Sequence, residues 1–258
     1  MYTRPRIIPV LLIDDRDLIK TVQFKEKTYL GDPVNAVKIF NIKGVDELSI
    51  LDIGATKNGK EPDFDFLADI ASEAFMPLSY GGGVRNIEQI RKLLAIGYEK
   101  VVINTALVDN PKLIQEAVKL FGSQSIVASI DAKKTFSRYE VFVEDGKRRT
   151  GIDSITLAKK VEELGAGEII INSIDNDGLM EGYDLELVRR VSDSVSIPVT
   201  AIGGAGGIQD IKKVLVDGHA HAAAGGSMFV FYGRLRAVLI TAPKESELIN
   251  AGIYDKLI

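Results

Sequence analysis

The chain has 258 residues, 46% of them hydrophobic, with 32 basic against 36 acidic side chains and a formal charge of −4. No long basic run offers a nucleic-acid footprint; no apolar run reaches the roughly 18 residues of a membrane span. The start of the chain enters a strand pattern directly, with no signal-type apolar segment, so a cytosolic protein handling small metabolites is expected.

Short β-rich runs alternate with helix-length amphipathic stretches from one end to the other, which argues for βα units and a parallel sheet. Strands are expected near residues 6–12, 47–53, 77–80, 100–104, 125–131, 167–173, 198–203 and 221–226. Helices are expected near 32–44, 63–75, 86–97, 110–121, 153–165, 184–195 and 208–218, with an eighth near 230–240. Eight such units in this length fit an α/β (β/α)₈ TIM barrel, whereas an open doubly wound sheet would carry a glycine fingerprint after its first strand, and RIIPVLLIDDRD has none. Residues 14–30 and 54–63 read as long loops over the C-terminal mouth, and SRYEVFVEDGKRRT (137–150) as a hairpin that covers it.

One module occurs twice. Met76 to Val108 and Ile197 to Phe229 each run apolar strand, glycines, amphipathic helix, apolar strand; Pro77 matches Pro198 and Glu47 matches Glu168, each 121 positions on. A repeat of this extent makes the chain one domain of residues 1–258 built from two homologous half-barrels, roughly 1–122 and 123–258. Glycines between a strand end and a helix start let backbone amides approach a phosphate, which the positive helix end also attracts, although tight turns need glycine as well. Two cradles imply two phosphates. One set is Gly83, Asn104 and Thr105; the other is Asp177, Gly178, Gly204, Gly226 and Ser227.

Barrels of this kind do their chemistry at the C-terminal strand ends. Asp131 ends the apolar run SIVASID and is a candidate general acid or base, or else a cap for the turn that follows. Its repeat counterpart is Leu12, which cannot transfer a proton. His219 and His221 have metal-like spacing but fall before the eighth strand, at the opposite end, so no metal site and no cofactor are called for. Cysteine is absent, which excludes disulfides and a cysteine nucleophile on this polypeptide.

The segments RIIP, DELSILDI, GGGVR, KVVINTALV, FGSQ, IDAKK, GAGEIIINSIDNDG, GYDLEL and IPVTAIGGAG resemble, over nearly the whole chain, the cyclase subunit of imidazole glycerol phosphate synthase. That resemblance implies a half-barrel repeat that takes ammonia from a partner glutaminase subunit, adds it to a bisphosphorylated ribulosyl aminoimidazole carboxamide and splits the product. By the same resemblance Asp131 and Lys20 are catalytic, Arg6, Glu47, Lys100 and Glu168 form the charged gate through which ammonia enters, and Glu99 stands where the family anchors the glutaminase. The family's first catalytic aspartate, however, falls on Leu12, and other polar cleft positions fall on Val10, Val102, Leu179 and Ile202. An acid could still swing in as Asp14 or Asp15.

This pattern favours a paralogue that keeps the ammonia passage but serves another acceptor, of the kind associated with amidotransferases that make acetamidino sugars for surface polysaccharides. A third, amidotransferase protein would then be a partner, besides the phosphorylated small-molecule ligand. The ordinary histidine-pathway cyclase is the alternative, and a phosphate-binding scaffold without ammonia traffic is a third. Treated as surface charges, the ring residues would each be worth only about 0–1 kcal/mol.

Overall fold

The computed structural model describes residues 4–136, 138–233 and 235–255. Eight parallel strands close into a barrel: β1 (Arg6–Asp14), β2 (Leu48–Asp52), β3 (Leu78–Gly81), β4 (Lys100–Ile103), β5 (Ile126–Thr135), β6 (Glu168–Ser173), β7 (Val199–Ile202) and β8 (Ala222–Gly225). Each pairs with its sequence neighbours, β5 with β6, and β8 returns to β1 through Arg6 beside Ala222. The helix outside each βα unit follows its sequence pattern: α1 (Pro33–Lys43), α2 (Phe64–Ser72), α3 (Ile87–Ile96), α4 (Lys112–Phe121), α5 (Ser154–Glu163), α6 (Leu185–Ser192) and α7 (Ile208–Val216).

Local chemistry sets the helix ends. Asp32 accepts from the amides of Val34 and Asn35 ahead of Pro33, so α1 starts with a capped, proline-led turn, and Gly44 stops it in the left-handed conformation at φ 65°. Asn86 and Asp184 cap α3 and α6 in the same way. The main core lies between the sheet and these helices, where Phe40, Leu67, Ile90 and Ile114 are fully buried. A second, smaller apolar cluster fills the barrel itself: Ile8, Val10, Ala222 and Ala224, with Leu12, Leu51 and Ile202 against them.

Three expectations are corrected. Residues 14–30 are largely β structure: Asp17–Thr21 pairs antiparallel with β1 and with Lys27–Gly31, and Ile19, Thr21, Thr28 and Tyr29 are the β-branched and aromatic residues that strands favour. The 54–63 segment opens with a short helix, Ile53–Lys57, capped by Asp52. The eighth helix near 230–240 does not form. Phe231–Tyr232 and Ala237–Val238 make a two-stranded hairpin, with Gly233 at φ 70° in its turn, and a short helix appears later, at Glu245–Asn250. Aromatic and β-branched residues split by a glycine favour that hairpin over a helix. The 137–150 insertion is a hairpin as read, Arg138–Val143 against Arg148–Asp153.

Candidate active site

Because the eight strands run parallel, their C-terminal ends meet at one mouth, where a cavity of about 470 Å³ opens. Its floor is apolar, made by Val10, Leu12, Leu51, Val102, Ile170 and Ile202. Its walls carry Lys20, Asn104, Thr105, Asp131, Asn172 and Asp177, and Lys25, Lys27, Lys57, Arg85 and Lys147 stand at its sides. Asp52, Asp109 and Asp145 line the cavity as well, so the lining carries both signs of charge, and an anionic ligand would rest on the lysines and Arg85.

Asp131 extends from β5 into this cavity and accepts from Asn172 Nδ2 at 3.0 Å and Asn104 Nδ2 at 3.1 Å. Burial pushes its carboxyl up to about 7, more than those two hydrogen bonds pull it down. A carboxyl near 7 can both hold and release a proton at neutral pH, as a general acid or base requires. Asn172 escaped the sequence reading. Its only signal was its place near the end of the IIIN strand, directly beside Asp131 in the β5–β6 register.

Lys20 reaches the same cavity from the hairpin strand after β1, not from a loop. It donates to the Thr21 carbonyl at 2.6 Å and lies 3.4 Å from Asp177 Oδ1. Burial lowers its affinity for a proton, although Asp177 opposes that; burial likewise raises Asp177, against the pull of Lys20. Asp14 and Asp15 do not enter the cavity. Asp14 pairs with Lys27, Asp15 with Lys60 at 3.1 Å, and both line a separate small pocket beside Asp63. Leu12 therefore has no acidic substitute from that segment.

The expected phosphate sets are partly assembled. Gly83, Asn104 and Thr105 line one side of the cavity together, with the Gly83 amide donating to Thr56 Oγ1 at 3.2 Å. On the other side Asp177 and Gly226 line it, whereas Gly178, Gly204 and Ser227 do not. Gly204 is required by close packing: at φ 110°, an added Cβ would sit 2.0 Å from the Gly182 carbonyl oxygen. The Ser227 hydroxyl and Asp177 Oδ2 are buried without a hydrogen-bond partner, groups that a bound ligand could satisfy. Leu179, expected in the cleft, does not line the cavity.

At the opposite end, Arg6, Glu47, Lys100 and Glu168 form a closed ring of alternating charge. Arg6 bonds Glu47 at 2.6 Å and Glu168 at 2.8 Å, and Lys100 bonds Glu47 at 2.8 Å and Glu168 at 3.0 Å. Thr200 donates to Glu168 at 2.5 Å. Burial would raise the Glu168 carboxyl, but Arg6 and Lys100 prevail and hold it below its ordinary value. The ring is not a surface feature: Glu47 and Glu168 side chains are 6% and 10% exposed. Above it lies a small void lined by Glu47, Glu168, Thr200 and Ser49 below and by Val10, Leu51, Val102, Ile170 and Ile202 above, and these last five are also the floor of the mouth cavity. The ring and the cavity are thus the two faces of one apolar plug.

Glu99, beside Lys100, is exposed at the ring end. The two histidines do not converge: His219 contacts Asp193 at 2.7 Å, while His221 accepts from the Val199 amide at 3.2 Å. Among the described residues no group of side chains could hold a metal ion, and no helix is long and apolar enough to cross a membrane.

A family model described as histidine biosynthesis protein matches residues 6–236. A protein of Leptospira interrogans is 46% identical over 246 residues, 95% of this chain and 97% of its own length. One of Vibrio vulnificus is 47% identical over 246 residues, 95% of each chain. One of Pseudomonas aeruginosa is 47% identical over 246 residues, 95% of this chain and 98% of its own. Their provisional names are imidazole glycerol phosphate synthase subunit HisF, hisF3 and hisF2 respectively.

Proposed function

The chain belongs to the histidine biosynthesis protein family, among the HisF-like cyclase subunits of imidazole glycerol phosphate synthase, and within it we propose a subunit that receives ammonia from a partner glutaminase but delivers it to an acceptor other than the cyclase substrate. One observation carries this reading: an intact charged ring stands below an apolar floor in which Leu12 takes the place of a proton-transferring acid. Neutral ammonia can pass Val10, Leu51, Val102, Ile170 and Ile202, while an ammonium ion cannot leave water cheaply for such a lining. The chain's lack of cysteine supports a separate glutaminase, docked at the ring end near Glu99.

The proposed acceptor system is an amidotransferase for acetamidino sugars, a third protein at the C-terminal mouth, working in the cytosol. The numbered names hisF2 and hisF3 support a paralogue beside the ordinary cyclase. The mouth cavity would hold a phosphorylated or bisphosphorylated ligand between its two glycine sets. Asp131 and Lys20 match two of the three catalytic positions of the family, which favours the ordinary histidine-pathway cyclase as the second reading.

The loss of one positioned acid costs about 10²- to 10⁴-fold in rate. Introduced into a histidine auxotroph that lacks its cyclase subunit, the gene should therefore fail to restore growth, and the purified chain with saturating ammonium should turn over the ribulosyl substrate at most at that reduced rate. Growth at the level given by an authentic cyclase would establish the second reading instead.

A further inference from the structure

The hairpin that stands where an eighth helix was expected brings one side chain to the edge of the site, against the loop that follows Asp177. Arg236, in the left-handed conformation at φ 50°, donates from a guanidinium nitrogen to the Gly178 carbonyl at 2.6 Å. Its guanidinium also stands over the Phe231 ring, 5.6 Å from the centroid. The hairpin's base is fixed by the Leu239 amide on the Val230 carbonyl and the Thr241 amide on the Phe229 carbonyl, 2.9 and 2.8 Å. Gly178 is equally fixed, because at φ 76° a Cβ there would meet the Thr21 carbonyl oxygen at 2.7 Å. A bulky residue held at positive φ by its surroundings points to a function.

The neighbours of Arg236 form one cluster. Lys20 lies against Gly226, with its Cε 3.0 Å from where a Cβ would stand, and its ammonium contacts Thr21 and Asp177. Arg236 is close enough to Lys20 to weaken that lysine's hold on its proton. Lys20 and Arg236 are thus neighbouring cations, of which only Lys20 contacts a carboxylate, Asp177. Of its five N–H donors, Arg236 spends one on Gly178.

We propose that Arg236 is an anion-binding residue at the edge of the mouth cavity, joining Lys20 and Gly226, which line it, on the second phosphate of the ligand. This rests on the phosphorylated-ligand reading above and adds a recognition group supplied by the hairpin. The geometry suits a phosphate monoester, whose three oxygens can share the remaining guanidinium donors, the lysine and the Gly226 backbone.

The test uses the full chain with isotope-labelled amides, titrated with inorganic phosphate. In the unmodified protein the Gly178 and Gly226 resonances should shift saturably. Arg236→Gln retains a donor for the Gly178 carbonyl but no charge, and should weaken phosphate at that set at least about tenfold, as loss of a charge-assisted hydrogen bond does, with Gly83 and Thr105 unaffected. Arg236→Lys should recover part of the affinity. Equal affinity in Arg236→Gln and the unmodified chain overturns the role of Arg236 alone. So does equal loss in the Gln and Lys variants with the Gly178 resonance already displaced before phosphate is added, since Arg236 would then only hold the loop. No saturable shift in the unmodified chain overturns both this proposal and the second phosphate set.

Discussion

Lys100→Ala is the sharpest perturbation of the charged ring. Lys100 is 18% exposed and bridges two carboxylates that are almost wholly buried, so the allowance of about 0–1 kcal/mol for an exposed pair does not apply. Breaking a fully buried pair costs about 3–5 kcal/mol, mostly because it strands a charge. Here neither carboxylate is stranded, since Arg6 still holds both and Thr200 still donates to Glu168. The cost should fall between, at about 2 kcal/mol, lowering Tm by about 4–8 °C for a domain of this size. The sign with pH is fixed by Glu168, whose folded pKa is depressed. Its contribution is present above the ordinary glutamate value of about 4.3 and is lost as pH falls through the folded value. The gap between the two proteins should therefore be widest near pH 7 and shrink on acidification below about 4. Calorimetry from pH 3 to 8 measures it. A gap that is absent at pH 7, or that keeps its size in acid, would refute the electrostatic account and assign any loss to the lysine stem.

Asp131 should titrate near 7 in a carbon-detected carboxyl spectrum, and because its folded pKa is raised, it costs stability progressively as pH climbs from about 4 to 7; a midpoint near 4 would remove it as a neutral-pH acid. Leu12→Asp should raise turnover of the ribulosyl substrate by about tenfold or more if Leu12 alone blocks cyclisation, at about 1–3 kcal/mol in stability measured by urea unfolding; an unchanged rate would implicate the rest of the apolar floor. Gly204→Ala forces a Cβ onto the Gly182 carbonyl and should cost about 2 kcal/mol or more; a Tm within a degree of the unmodified chain would show that this turn relaxes freely.

The eight strands and seven of the helices were legible because each rests on a local signal: period-2 or continuous apolar runs between caps such as Asp32 and Asn86. The ring and Asp131 were legible through the repeat and the family resemblance. The hairpins were harder. DLIKT and TYLG are too short to separate from a loop until DLIKT finds β1 and TYLG finds DLIKT as a partner, and residues 230–240 are apolar enough for a helix until Gly233 breaks them. Asn172 and Arg236 were invisible for a different reason, as a lone amide on a strand and a lone arginine in a turn acquire meaning only beside Asp131 and Gly178. The burial of the ring was equally hidden, because sequence shows charge but not the depth at which the barrel closes over it.

The seam between β1 and β8 has a consequence for how the chain reaches this state. Arg6 through Pro9 are paired with Ala222 through Gly225, so the first strand to leave the ribosome waits for almost the last. Until then β1 offers an open edge on one side, with apolar Ile7 and Ile8 along it, and an unpaired edge is a template for joining another chain. Long-range pairing of this kind is slow to form because loop closure precedes its reward. Truncation just before residue 222 should thus yield an aggregating species rather than a smaller barrel. A pulse-labelling hydrogen-exchange experiment should find the amides of that seam among the last protected during refolding.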